Sequence, residues 1–263
     1  MTTKNRTELD LSREIAVGAT EGIGMNFPTM DMQASPFAAS TGGSAATRIY
    51  LDLRQRIIDL NLPPDTTLSR ADLTERYKVS QTPVREALQR LEQDGLVKIF
   101  PQSRTLVTRI DEYQMYEAYF LRIAVETEVC RRLANDCDSA VLSKAKSILR
   151  MQHAIVHDAE QVDMFYDFDE AFHKTLFDGV SQSGLHQLLQ SKSGHLGRIR
   201  RLGPPPEGKF DMILEGHANI IAGIESGDEN KAIAAIRDHL KDTVSISRVD
   251  ALRSQFPDYF GVT

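Results

Sequence analysis

The sequence predicts a mainly α-helical protein in two modules, the first closing with a short β-hairpin and the second built from helices alone. Three observations carry that prediction. Apolar residues recur at helical spacing over most of the chain, one β-rich stretch is confined to residues 96–108, and charge divides unevenly between the two halves. The 263 residues are 41% hydrophobic and 26% charged, which suits a folded globular chain and excludes a disordered one. Between Ala45 and Ile110, eleven Lys and Arg stand against eight Asp and Glu. The resulting +3 leaves -9 for the remainder of the -6 total, so a basic module precedes an acidic one. No apolar run reaches membrane-spanning length, and the first thirty residues, with Lys4, Arg6, Glu8 and Asp10, lack the apolar centre of a signal peptide. A cytoplasmic protein with no membrane partner is expected. Cys130 and Cys137, the only cysteines, lie in a helical stretch and read as small apolar side chains, not as a disulfide framework.

Residues 1–44 show little periodicity and end in Ala38-Ala39-Ser40-Thr41-Gly42-Gly43-Ser44, a flexible tail and linker. A first helix follows, with Ile49, Leu53, Ile57 and Ile58 on its apolar face, and stops at Asn61-Leu62-Pro63-Pro64. Ser69 is placed to cap a short helix through Tyr77. After the tight Lys78-Val79 connection, Ser80 caps a third helix to about Asp94, which Gly95 ends. Leu96–Phe100 and Arg104–Thr108 read as two strands around Pro101-Gln102-Ser103. Residues 45–109 are therefore expected to form a winged helix-turn-helix. Residues 110–255 are expected to form an all-α bundle of about six helices, the longest near 111–134 and 228–252, with residues 256–263 as a C-terminal tail.

A helix-turn-helix sets its second helix in the major groove, where N-terminal residues reach base edges and their neighbours reach phosphates. Here Ser80, Gln81, Thr82 and Arg85 hold those positions, while Val84, Ala87, Leu88 and Leu91 face the core. Ser80 and Thr82 suit phosphate oxygens, Arg85 suits phosphate or guanine, and Gln81 can pair with adenine. Ser80 acting as a plain cap and Arg85 as a solvated cation is the alternative. With the wing and the positive charge, binding of double-stranded operator DNA is the better account.

The run Val79-Ser80-Gln81-Thr82-Pro83-Val84-Arg85-Glu86-Ala87-Leu88-Gln89-Arg90-Leu91 resembles the recognition motif of the GntR superfamily of bacterial transcription regulators. The resemblance runs on through the bundle, which is similar to the FCD-type effector-binding domain of the FadR-like branch, and covers about residues 46–252. Gln81 stands where that family usually has Arg, and Ser103-Arg104 where it usually has Arg-Gly. A basic residue common in the preceding helix falls on Ala71, with Arg70 beside it. Arg70 and Arg104 are accordingly added to the candidate DNA contacts.

In the acidic module, Asp169 and His173 lie four apart on one helix face, with His217 and His239 on the last two helices expected. Three imidazoles and a carboxylate suit a divalent ion such as Zn²⁺, Ni²⁺ or Mn²⁺ with positions left for a ligand. Spacing alone leaves these residues as core or surface histidines equally well; the resemblance implies that these four are the metal ligands. His153 and His157 are also four apart but lack a third partner and read as solvent-facing, while His186 and His195 read as structural. Arg122 matches the family's pocket arginine and can pair with an effector carboxylate, or else with Glu126 one turn on. Arg198 and Arg201 belong to a basic run that either adds a second cation to the pocket or faces water.

These readings combine into a ligand-responsive DNA-binding regulator, a C2 homodimer joined through its bundle, sensing a small carboxylate beside a divalent metal. Repression relieved by ligand is what the resemblance implies. Two alternatives stay open: a regulator whose metal is purely structural, and a metal-dependent hydrolase, for which no general base is evident.

Overall fold

The computed structural model describes residues 43–241 and 245–261, so apart from Gly43 and Ser44 the expected N-terminal tail lies outside the described residues. The winged module opens with α1 (Ala45–Ile58), α2 (Arg70–Tyr77) and α3 (Gln81–Gln93), followed by β1 (Val97–Ile99) and β2 (Thr105–Val107). The hydroxyls of Ser44 and Ser69 accept from the backbone N–H groups of Thr47 and Asp72, which starts α1 and α2 where the sequence placed them. Ile49, Leu53 and Ile57 of α1 close on Val84, Ala87, Leu88 and Leu91 of α3, all buried in one core. The hairpin is antiparallel, with Val97 opposite Val107 and Ile99 opposite Thr105.

The second module contains α4 (Glu112–Asn135), α5 (Ser139–Ile155), α6 (Val162–Gly179), α7 (Ser183–Lys192), α8 (Gly194–Arg201), α9 (Lys209–Glu225), α10 (Glu229–Lys241) and α11 (Ile246–Gln255). Eight helices thus stand among the described residues where the periodicity suggested six. Ser193 separates α7 from α8, and the expected long helix over 228–252 is interrupted at Ser245, whose hydroxyl accepts from the Arg248 N–H and starts α11. Apolar spacing continues across both breaks, and so conceals them. Helices α4, α9 and α10 pack together, with α5 and α6 against them, around Val129, Leu133, Phe172, Ile220, Ile236 and Leu240. Cys130 is fully buried there, and burial pushes its thiol pKa up.

The two modules meet along α8. Arg201 on α8 pairs with Asp59 just after α1 (2.8 Å), and the Arg54 guanidinium of α1 donates to the carbonyl of Gln190. The connecting segment is fastened from the far end of the chain. Ile110 N–H donates to the Tyr259 carbonyl (2.7 Å), and Gly261 N–H to the Ile110 carbonyl (3.1 Å), a parallel bridge that seats Phe260 in the core beside Ile110. The described part of the expected C-terminal tail is therefore packed structure.

At this junction His195 is buried, and its Nδ1 accepts from the Asp111 N–H at 3.2 Å. Burial, followed by the Arg198 charge, pushes its pKa down to about 4 against the opposing pull of Asp111 and Gly95. A histidine whose folded pKa lies below its unfolded value contributes stability that is complete above about pH 6.5 and is lost as pH falls towards 4. Between pH 7 and 5 this group alone costs the fold about 2 kcal/mol. Unfolding of wild type and His195→Asn, which keeps an acceptor near Nδ1, should therefore give a shallower loss of stability for the variant over that range. Parallel profiles contradict the assignment.

Candidate metal and effector site

Two facing surfaces build the site. From α6, Asp169 and His173 project one turn apart; from α9 and α10 come His217 and His239. The approach of α9 to α10 depends on Gly216 and Gly223. A Cβ on Gly216 would fall 2.3 Å from His239 Nδ1, and one on Gly223 would fall 2.9 Å from the Ala232 backbone. Larger residues at either place would hold α10 away and carry His239 with it.

The four candidate ligand atoms lie within 4.8 Å of one another, and all four residues but the half-buried His239 are buried. The far ring nitrogens fix which nitrogen carries the proton. His217 Nδ1–H donates to Gln152 Oε1 at 2.8 Å, while the Gln152 amide nitrogen faces the Phe165 carbonyl at 3.5 Å and so orients that oxygen. His173 Nδ1 lies 2.6 Å from Glu126 Oε2. With their protons on Nδ1, His217 and His173 both turn an Nε2 lone pair inward. His217 Nε2 then faces Asp169 Oδ1 at 3.3 Å, and His173 Nε2 faces His239 Nε2 at 3.3 Å. His217 Nε2 is buried without a hydrogen bond. An Asp169 carboxylate oxygen and two inward Nε2 lone pairs, with the His239 ring nitrogen beside them, make a donor set that fits a divalent metal.

Electrostatics agree with neutral imidazoles at His217 and His239. Burial, against the opposing pull of Asp169, pushes His217 down to about 4, and burial with the neighbouring His217 and His173 holds His239 well below the ordinary histidine value. Burial alone raises the Asp169 carboxyl, but His217, His173 and Arg200 together hold it well below the usual carboxylate range. Phe172 stacks on the His217 ring at 3.8 Å between centroids, which fixes the ring plane.

Arg122 is buried, and its Nε donates to Glu126 Oε1 at 2.6 Å. The i,i+4 pair foreseen as an alternative is thus present, but inside the bundle, where Arg122 also lines a cavity of about 100 Å³ with Asp169 and Arg200. Arg198 does not join them. It is fully buried with its three guanidinium nitrogens unpartnered, beside Tyr259 and His195, and burial pushes its pKa down to about 10. Arg200, two residues on and so about 200° round the helix, points at Asp169 instead, with Nη1 3.4 Å from Oδ2. A second cavity, of about 480 Å³, lies on the His239 side and again includes Asp169 and Arg200. His153 and His157 are exposed and take no part. Sequence reasoning missed Arg200 and Gln152; the latter had a signal, a lone polar residue in phase with Ala145 and Ile148 on the buried face of α5.

In the winged module all six candidate DNA contacts are exposed: Arg70 at the start of α2, Ser80, Gln81, Thr82 and Arg85 at the start of α3, and Arg104 in the hairpin loop. Ser80 stands at the N-cap of α3 but its hydroxyl makes no capping hydrogen bond, unlike those of Ser44 and Ser69.

Residues 45–107 match the model of the bacterial regulatory proteins of the gntR family, and residues 117–242 match the FCD domain. An HTH-type transcriptional regulator in an unstable DNA locus of Streptomyces ambofaciens is 34% identical over 223 residues, which are 84% of this chain and 92% of that protein. The chain belongs to the GntR family. Other relatives of this GntR-family regulator include the HTH-type transcriptional repressor RspR of Escherichia coli K12, 29% identical over 81% of this chain and 92% of the repressor. The fold is shared with the solved structure of E. coli McbR/YncC, at a TM-score of 0.66 and 16% identity over 81% of this chain and 99% of that one. Family and relatives are transcription regulators, not enzymes, which removes the hydrolase alternative. No helix among the described residues is long and apolar enough to cross a membrane.

Proposed function

We propose that this GntR-family chain is a metal-bearing, effector-responsive repressor that acts on operator DNA in the cytoplasm as a homodimer. The convergence of one candidate ligand atom each from Asp169, His173, His217 and His239 within 4.8 Å, beside a cavity, is the observation that carries this reading. These four residues hold a divalent ion such as Zn²⁺, Ni²⁺ or Mn²⁺, with Glu126 and Gln152 orienting two of the imidazoles. The ion supplies a Lewis-acidic centre for the carboxylate of a small organic acid. Arg122 and Arg200 provide the cations that complete its recognition. On the DNA side, Ser80, Thr82 and the exposed first turn of α3 meet phosphates, Gln81 and Arg85 meet bases, and Arg70 and Arg104 reach the flanking backbone.

Pairing through the bundle sets two recognition helices on a palindromic site. The surface that suits it is the outer face of α4, where Tyr113 and Phe120 stand 73% and 75% exposed seven residues apart, next to α7 with its exposed Leu185 and Leu188. The name of the relative RspR, a repressor, supports the sign.

The test follows metal-loaded protein and His173→Ala by thermal unfolding and operator titration, with and without a chelator, across a panel of organic acids. An acid that stabilises the loaded wild type and weakens its hold on the operator, with both effects lost in His173→Ala that still binds operator, is the expected outcome. Chelation that lowers the midpoint while no acid changes anything identifies a structural metal instead.

A further inference from the structure

The cavity of about 480 Å³ beside the quartet is unbalanced in charge. Arg200, Lys209 and Arg248 line it as cations, and Asp169, itself a candidate metal ligand, is the only carboxylate among its lining residues. Arg200 is partly engaged with Asp169. Arg248 is different: its backbone N–H is taken by Ser245 Oγ, but its guanidinium forms no hydrogen bond or ion pair with any described residue. The hydroxyls of Ser245 and Ser247 lie 3.4 Å apart on the same wall, and each retains capacity for an acceptor or donor. Both Arg200 and Arg248 act on the half-buried Tyr166, which also lines the cavity, so their charges bear on one space. Ile199, Pro205, Met212 and Ala251 supply apolar walls between the polar groups.

One carboxylate docked at the quartet and Arg200 leaves Arg248 facing the cavity without a counter-charge from any described residue. A guanidinium held in a partly dehydrated wall gains most from an anionic oxygen pair that matches its fork. Resting on the effector reading above, we infer that the cavity takes an organic dianion: one acid group bound at the quartet beside Arg200, and a second bound by Arg248 with Ser245 and Ser247. The second group is a carboxylate or a phosphate, since both present the same oxygen geometry to the fork.

Calorimetric titration of the metal-loaded full chain with glutarate, glutarate monomethyl ester and phosphoglycolate separates the cases. Glutarate or phosphoglycolate should bind on the order of tenfold more tightly than the monoester, the difference of one charge-assisted pair. Whichever of the two diacids binds better identifies the second group, with the extra partial charge of the phosphate allowed for by repeating the titration at about pH 5.5. Arg248→Met should remove the dianion advantage while the monoester still binds, and Arg248→Lys should keep part of it; thermal midpoints without ligand check that both variants fold. Affinities of glutarate and phosphoglycolate that both equal the monoester's, or an advantage that survives Arg248→Met, overturn this inference and leave the carboxylate reading standing. If none of the three acids binds metal-loaded wild type, both fail together.

Discussion

Replacing Glu126 by glutamine should destabilise the fold by about 3–5 kcal/mol, and weaken metal affinity by about 10–100-fold. The two effects have one origin. Glu126 is 2% exposed and spends one oxygen on each of two partners: Oε1 on Arg122 Nε and Oε2 on His173 Nδ1, both at 2.6 Å. Burial alone raises its pKa, yet the Arg122 and His173 partners hold the carboxyl well below its ordinary range. Glutamine keeps the shape but not the charge. The buried Arg122 guanidinium then loses the carboxylate it is hydrogen-bonded to, with Asp169 and Glu170 as its remaining neighbouring anions, and of the two glutamine ends one is a donor, which opposes either the Arg122 Nε–H or the His173 Nδ1–H. A His173 that loses its acceptor also loses the reason to keep its proton on Nδ1, and with it the inward lone pair. Urea unfolding and metal titration of both proteins check the prediction; coincident midpoints with unchanged metal affinity would show that Glu126 is a bystander.

Phe120→Asp should convert the proposed dimer to a monomer and weaken operator binding by roughly 10²-fold or more, because the second half-site then no longer binds as an intramolecular event. At 75% exposure Phe120 contributes little to its own subunit, so the variant is expected to keep the wild-type unfolding midpoint. In a two-fold interface each change occurs twice and near its own copy, and two carboxylates enter an apolar contact together. Light scattering and operator titration report the two effects separately. A dimer that persists with full operator affinity would move the interface away from the Tyr113–Phe120 face.

The winged module was legible almost to the residue. Its apolar positions, caps and turn chemistry all point the same way, and the three helices and hairpin begin and end near the expected places. The bundle was legible as helices but not as a count, because Leu196 and Ile199 continue an apolar rhythm past the break at Ser193. For the quartet, sequence spacing supplied only the pair Asp169 and His173. Bringing His217 and His239 to them depends on the close crossing of α9 and α10 at Gly216 and Gly223, a tertiary fact with no periodic signature. The basic run Arg198-Ile199-Arg200-Arg201 shows the limit most plainly. Three arginines in four residues look equivalent in sequence, yet helical phase sends Arg198 into the core, Arg200 to Asp169 and Arg201 to Asp59.

The bridge between Ile110 and Phe260 also bears on how the molecule is made. The winged module is complete in sequence at Val107, whereas Phe260, whose bridge to Ile110 fastens its connection, follows Ile110 by 150 positions. At about 5–20 residues per second, the ribosome delivers Phe260 roughly ten to thirty seconds after Ile110. During that interval a nascent chain carries a finished DNA-binding head on an unfastened neck, free to sample orientations that the mature protein forbids. In the proposed dimer, the spacing between the two heads is therefore a late event, set by the arrival of a few residues far downstream, and not by the folding of the head itself.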